Sequence, residues 1–210
     1  IADPAGRNII SGNNWFGMEF LGEHTTDNVV RGNYIGLDAT GRAALGNSIG
    51  GVGFWDQAWG NRVGGGGPGA GNFISANGMG VQLANGSHDN FLQGNVIGLN
   101  VDGDSRGNLN AGVEFNDQGG ARAVSGNLIG SDGDGIDDAA EANVISGNLW
   151  GVRMVDAAVH GNVIAGNRIG TDLSGTVARS NGTGIVLWYT GSNLIGGARA
   201  GTGNVIAGNS

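Results

Sequence analysis

The chain has 210 residues, a formal net charge of −8, 39% hydrophobic and only 6% aromatic residues, with 46 Gly, two Pro and no Cys. The acidic balance argues against a nucleic-acid partner, whose phosphates require a basic surface, and the absence of Cys excludes disulfides and thiolate metal sites. No apolar run reaches the ~20 residues of a membrane span, and the scarcity of aromatics predicts a narrow, aliphatic interior.

Taken in order, the segments repeat. Asn-x-(Ile/Val/Leu) occurs at Asn8, Asn28, Asn61, Asn72, Asn90, Asn127, Asn143, Asn162, Asn193 and Asn204. Spacing by Asn8, Asn72, Asn143 and Asn204 gives long units of 64, 71 and 61 residues. Each unit opens on a phrase such as "NIISGN" and proceeds to Gly-(Val/Met)-x-apolar ("GMEF" at 17, "GVQL" at 80, "GVRM" at 151). It continues through "NVVRGNYIG" at 28 and its relatives at 90 and 162, then a second Gly-apolar-x-apolar phrase ("GVGF" at 51, "GVEF" at 112, "GIVL" at 184). "NRVGG" at 61 and "NLIGG" at 193 close it. Short alternating runs bounded by Gly and Asn predict strands of three to five residues, and no segment carries a helical apolar face of useful length.

Strands that repeat their own sequence are expected in a solenoid, where each copy packs on its predecessor. The fold expected is all-β: a single-stranded, right-handed parallel β-helix forming one domain. Dividing each unit by three predicts nine or ten coils of roughly 20–24 residues, a rod on the order of 45 Å at ~4.8 Å per coil. Ile10, Ile74 and Ile145 should share one inward column, and stacked Asn amides should bond along the axis.

These phrases, with "GNRIGTD" at 166–172 as the clearest, resemble the right-handed parallel β-helix repeats (pectin-lyase-like) of large secreted or surface proteins of bacteria. That resemblance implies an extracellular or cell-surface location. It leaves the activity open, because the architecture hosts enzymes, adhesins and passive stalks alike. "ADPAGRN" at the start matches "ARAGTGN" at 198–204, so the chain begins and ends inside a repeat. This predicts a segment of a longer repeat protein, or uncapped coils that stack end to end with neighbours.

The sharpest departure from the repeat is "SDGDGIDDAAE" at 131–141, an acidic insertion between Asn127 and Asn143. Counted from Gly130 as a twelve-residue calcium loop, it offers Asp132, Asp134, the Ile136 carbonyl, Asp138 and Glu141, with Gly135 at the sharp turn. It resembles the Asp-rich repeats of thrombospondin type 3 and dockerin modules, with Gly130 where they carry Asp. The alternative is a solvated acidic turn. A weaker calcium candidate is Asn100, Asp102 and Asp104, which lacks the turn Gly and the bidentate Glu.

Catalysis by elimination or glycoside hydrolysis would need a strong base or paired carboxylates. There is no Lys, and the outward positions Glu19, Gln82 and Arg153, with Gly53, Glu114 and Val186 in a second series, offer no acid/base pair at a presumed spacing of ~14 Å. His24, His88 and His160 read as turn decoration. Trp55 and Trp188 follow the second strand phrase and point outward; Trp15 and Trp150 are read as occupying a matching turn. Exposed indoles suit stacking on sugar rings, and covering of adjacent turns is the plainer role. The leading expectation is a non-catalytic stalk or adhesive module, calcium-stabilised, meeting a polysaccharide or a host or cell-surface partner. The alternative is a carbohydrate-active β-helix: a polysaccharide lyase, a glycoside hydrolase or a binder.

Overall fold

The computed structural model describes residues 6–119 and 122–210. Asp3-Pro4 and the opening of "ADPAGRN" lie outside them. Short strands follow one another around a single axis. The first coil holds β1 (Ile9–Ile10), β2 (Phe16–Leu21) and β3 (Val29–Val30); the second, β4 (Tyr34–Ile35), β5 (Gly50–Trp55) and β6 (Arg62–Gly64). The third holds β7 (Phe73–Ile74), β8 (Met79–Ala84) and β9 (Phe91–Gln93); the fourth, β10 (Val96–Ile97), β11 (Ala111–Asn116) and β12 (Leu128–Gly130). After a four-residue helix, α1 (Asp138–Glu141), come β13 (Val144–Ile145), β14 (Trp150–Val155) and β15 (Val163–Ala165). The sixth coil is β16 (Arg168–Ile169), β17 (Thr183–Trp188) and β18 (Leu194–Ile195), and β19 (Val205–Ile206) opens a seventh.

Every third strand pairs, always in parallel. Sheet A stacks seven strands from β1 to β19, sheet B six from β2 to β17, and sheet C six from β3 to β18. This is the right-handed parallel β-helix expected from the repeat. In sheet A the register joins Ile10, Ile35, Ile74, Ile97, Ile145, Ile169 and Ile206 into one column. A second column runs Phe20, Phe54, Leu83, Phe115, Met154 and Leu187 in sheet B. Sheet C supplies Val30, Val63, Leu92, Ile129, Ile164 and Ile195. Away from the ends these side chains are fully buried and form the core.

The coil count differs from the expectation of nine or ten. There are six full coils, of 25, 39, 23, 48, 24 and 37 residues, and seven strands at ~4.8 Å span about 29 Å. Each long unit is therefore two coils, one slim and one wide, and not three of 20–24 residues. The division by three fails because coil lengths alternate; within "NVVRGNYIG" the strands β3 and β4 meet at a corner around Gly32, with its φ of 72°. Asn28 and Asn33 in that phrase belong to different faces.

The corners are held by asparagine. One ladder runs Asn8, Asn33, Asn72, Asn95, Asn143, Asn167 and Asn204, each Nδ2 donating to the next Oδ1 at 2.9–3.1 Å. A second joins Asn13, Asn47, Asn77, Asn108, Asn148, Asn181 and Asn209. The third joins Asn28, Asn61, Asn90, Asn127, Asn162 and Asn193. The same Oδ1 also accepts the backbone N–H of the Asn below, as in Asn72 to Asn95 at 3.1 Å. The remaining Nδ2 hydrogen reaches a backbone carbonyl of an earlier coil, as in Asn95 to Val63 at 2.8 Å. Buried corner groups are thereby satisfied without water. Tight stacking also dictates Gly: at Gly98, φ 98°, any Cβ would run into the Ser146 carbonyl of the next coil.

A mid-ladder deletion should be costly. Asn95→Ala leaves the Asn72 backbone N–H and one Asn72 Nδ2 hydrogen without their acceptor and takes a donor from the Asn143 oxygen and the Val63 carbonyl, and is expected to lose roughly 2–5 kcal/mol. Asn209→Ala, at the end of its ladder, should lose less than half of that. Urea unfolding of the two variants checks the ranking.

Candidate functional site

Alternation of slim and wide coils places recurrent long loops two coils apart on the corners between sheets A and B and between sheets C and A. Between sheets A and B, residues 37–44, 99–105 and 171–178 each close with an antiparallel bridge, forming three ears. Asp38, Asn100 and Asp172 play one role in them. Asp38 Oδ1 accepts the N–H groups of Arg42 and Ala43 at 3.0 Å, and Asp172 Oδ1 those of Thr176 and Val177. Asn100 Oδ1 accepts those of Asp102 and Asp104, at 3.0 and 2.8 Å. The hydroxyls of Thr40 and Ser174, with these amides, hold the Asp38 and Asp172 carboxyls below their ordinary range. The weaker calcium candidate thus has its Asn100 oxygen engaged by the turn. Asp102 makes a salt bridge to Arg42 of the ear below, at 2.7 Å.

Between sheets C and A lie residues 65–72, 131–143 and 196–204. The acidic insertion is the middle one, and it brings Asp132, Asp138 and Glu141 together, with one oxygen from each within 4.8 Å of the others. Turn chemistry builds the cluster. Ser131 Oγ donates to Asp138 Oδ1 at 2.7 Å, and Gly135 N–H donates to Asp138 Oδ2 at 3.2 Å. Asp132 N–H donates to Glu141 Oε2 at 3.2 Å. The last turn, α1, brings Asp138 and Glu141 round to face Asp132. Asp134 stands outside the trio; its Oδ1 accepts the Ile136 N–H at 2.7 Å, and the Ile136 side chain points to solvent. Partial burial, then the charges of Asp132, Asp134 and Asp138, raise the Glu141 carboxyl above its ordinary value.

The loop is held in place from both sides. The Glu141 carbonyl accepts the Gly94 N–H at 2.7 Å, and the Gly133 carbonyl accepts Arg199 Nη1 at 3.3 Å. It separates two clefts over the slim corners. One, of about 340 Å³, lies against Arg7, the Gly65–Gly69 loop, Phe73 and Ala140. The other, of about 450 Å³, has Leu128, Val163 and Leu194 as an apolar floor, with Asp132 and Arg199 at its edge. The trio offers three hard oxygen ligands of the kind Ca²⁺ takes.

The predicted aromatics separate. Trp55 and Trp188 share one outward column with Asn116. Four strand steps separate them, about 19 Å. Trp55 folds over Gly53, its ring 6.0 Å from Phe16 and edge-on to it. Trp150 lies in the column of Phe16, not of Trp15, because "NNWFG" carries one residue more than "NLWG". Arg153 sits over the Trp150 ring at 5.0 Å. Trp15 and Trp188 are open, 60% and 54% exposed, at opposite ends of the sheet; Trp188 stacks on Tyr189. His88 and His160 share a turn column, from which His24 is displaced by two residues; His88 stacks on Trp59 and reaches Asp89 at 2.8 Å.

Sequence reasoning missed two contacts. Glu19, Gln82 and Arg153 interleave with Gly53, Glu114 and Val186 in one column, so Gln82, Glu114 and Arg153 are on adjacent coils. Glu114, buried, accepts Arg153 Nη1 at 3.0 Å. In the following turn Asp117 meets Asp156, and burial, reinforced by a hydrogen bond with Asp117, raises the Asp156 carboxyl. A two-coil period would have revealed both.

With these features the chain is a parallel β-solenoid protein with an acidic corner loop. Comparison with known protein families, curated proteins and solved structures finds no match.

The Glu114–Arg153 pair makes a clear energetic prediction. Arg153→Met leaves a buried carboxylate unpaired and should cost about 3–5 kcal/mol. Adding Glu114→Gln should recover most of the loss in a double-mutant cycle measured by denaturant unfolding.

Proposed function

We propose that the chain is a non-catalytic structural or adhesive spacer of an extracellular or cell-surface bacterial protein, in the manner of the pectin-lyase-like β-helices it resembles. The observation that carries this reading is the run of three unbroken Asn ladders from the first coil to the last. They commit the polar corner groups of every coil to axial support. A rod so built holds whatever sits at its two ends, or on its corner loops, at a fixed separation.

In this reading Ca²⁺ binds the acidic loop through Asp132, Asp138 and Glu141, and fastens the corner between its two neighbouring loops. A cation that binds only the folded state raises stability by linkage. Calorimetry should therefore show Ca²⁺ binding, and the melting temperature should rise with Ca²⁺ and fall with chelator. Asp138→Asn should abolish both effects. The Glu141 carboxyl is raised in the fold, so its ionisation opposes folding without metal. That opposition is absent below the unfolded value, grows as pH rises through the folded one, and is relieved by the ion. The Ca²⁺-dependent gain should accordingly be larger at neutral than at acid pH. No heat and no shift in melting at neutral pH would remove the site.

A second reading, a polysaccharide binder, is favoured by the open Trp188–Tyr189 stack. Affinity electrophoresis in gels cast with plant or algal polysaccharides should then show retardation that is lost in Trp188→Ala. Unretarded wild type in every gel would leave the spacer alone.

A further inference from the structure

We infer that Asp117 and Asp156, stacked on neighbouring coils, share a single proton, and that this makes the joint between the fourth and fifth coils tighter in acid than at neutral pH. The inference does not depend on the acidic corner loop or on any ion it holds.

The register brings the two carboxyls together. Sheet B pairs Ala84 with Asn116 and Asn116 with Val155, and the turn that follows stacks Asp56, Asn85, Asp117 and Asp156 in one column. In the lower half of that column a carboxylate faces an amide, and Asn85 Nδ2 donates to Asp56 Oδ1. In the upper half a carboxyl faces a carboxyl. Two carboxylates at a strand step of ~4.8 Å repel. A proton between them supplies the hydrogen that the amide supplies below.

The fourth coil also turns differently from its neighbours. From Asp117 to Asn127 the chain takes ten residues, where Asn85 to Asn90 takes five. Asp56, Asn85 and Asp156 have positive φ, whereas in the fourth coil the left-handed positions are Gln118 and Gly119. Asp117 is only 8% exposed; its Oδ1 accepts the Gly119 N–H at 2.7 Å, and the Asp156 carboxyl accepts the Asp117 N–H.

No neighbouring cation replaces the proton. Arg153 is committed to Glu114 at 3.0 Å and lies over the Trp150 ring, and Arg122 rests its stem over Gly86 of the third coil. Asp56 is held by Asn85, and Tyr189 above is open to solvent against Trp188. Among the described residues neither Asp117 nor Asp156 forms a salt bridge. Burial, then the hydrogen bond and charge of Asp117, raise the Asp156 carboxyl, with Arg153 opposing in part. The fold therefore holds this proton more firmly than the unfolded chain does. The stability it contributes is complete below the unfolded carboxylate value and is lost as pH rises through the higher folded one.

Urea unfolding from acid to neutral pH, with chelator present throughout, tests the pair. Asp156→Asn places an amide opposite Asp117 at every pH, as Asn85 stands opposite Asp56. Its folding equilibrium constant should exceed that of wild type by about tenfold at neutral pH, and the gain should vanish in acid. Asp117→Asn should behave alike. Carboxyl-carbon NMR of wild type, which needs no variant to fold, should show Asp156 titrating above the ordinary Asp value; in Asp117→Asn it should fall back toward that value. An ordinary titration of Asp156 in wild type would overturn the proposal, as would an Asp156→Asn gain that is missing at neutral pH or equal at every pH.

Discussion

Everything in this structure follows from one constraint: at three corners of each coil, a buried amide must bond to the same amide ~4.8 Å away along the axis. Asn meets it because its oxygen accepts two N–H groups from the coil below while its second hydrogen reaches back to a carbonyl, as Asn95 does toward Asn72 and Val63. Asp could not take its place. Two carboxylates at that spacing repel by about 3.5 kcal/mol at an effective dielectric constant of ~20, and a carboxylate has no hydrogen to pass on. The corner amides then fix the register, and the register decides which side chains meet. Inside the columns, Ile meets Ile because a one-residue slip would turn every core residue outward.

A constraint this strict leaves little freedom in the slim coils and moves variation to the wide ones. Loops from adjacent coils would lie only ~4.8 Å apart, too close for two layers of side chains, which need about 10 Å. Placing long loops on every second coil doubles the separation. The clefts beside the acidic loop lie where that added space is floored by slim corners such as Gly94 and Ala165. The two-coil period is thus the packing solution that lets a solenoid carry loops at all. The ears on the neighbouring corner fill the same separation with contacts, Arg42 with Asp102 and Arg179 with the Gly103 carbonyl.

The fold was legible in the sequence because stacking makes spatial neighbours look alike: Ile10, Ile74 and Ile145 do share a column. Coil length was not legible from spacing alone, since slim and wide coils alternate and an even division of each unit by three matches neither. That error carried into the site. Glu114 and Arg153 sat in what looked like separate series and are in contact, while Trp15 and Trp150, similar in local context, differ by one position in register. For the acidic loop, carboxylate spacing put Asp132, Asp134, Asp138 and Glu141 in one insertion, of which the fold brings Asp132, Asp138 and Glu141 together. It could not foretell that Asp134 would stand outside that trio, its oxygen accepting the Ile136 amide.

Outward rings along the flanks are covered by arginine side chains. Arg7 covers Tyr34, Arg62 covers Phe91 and Arg153 covers Trp150, at 3.9, 4.2 and 5.0 Å. The Arg7–Tyr34 and Arg62–Phe91 pairs join a residue of one coil to a residue of the next. A cation over a ring face is worth roughly 0.5–1 kcal/mol when exposed, and it occupies the surface on which a sugar would stack. Along the flanks, then, side chains that could have served a ligand are engaged in tying coil to coil. Trp15, and Trp188 with Tyr189, stay open to solvent, and Trp59 is partly so with its ring stacked on His88. On the spacer proposal these pairs are part of the coil-to-coil support, and on the binder proposal only the open rings remain for a sugar to stack on.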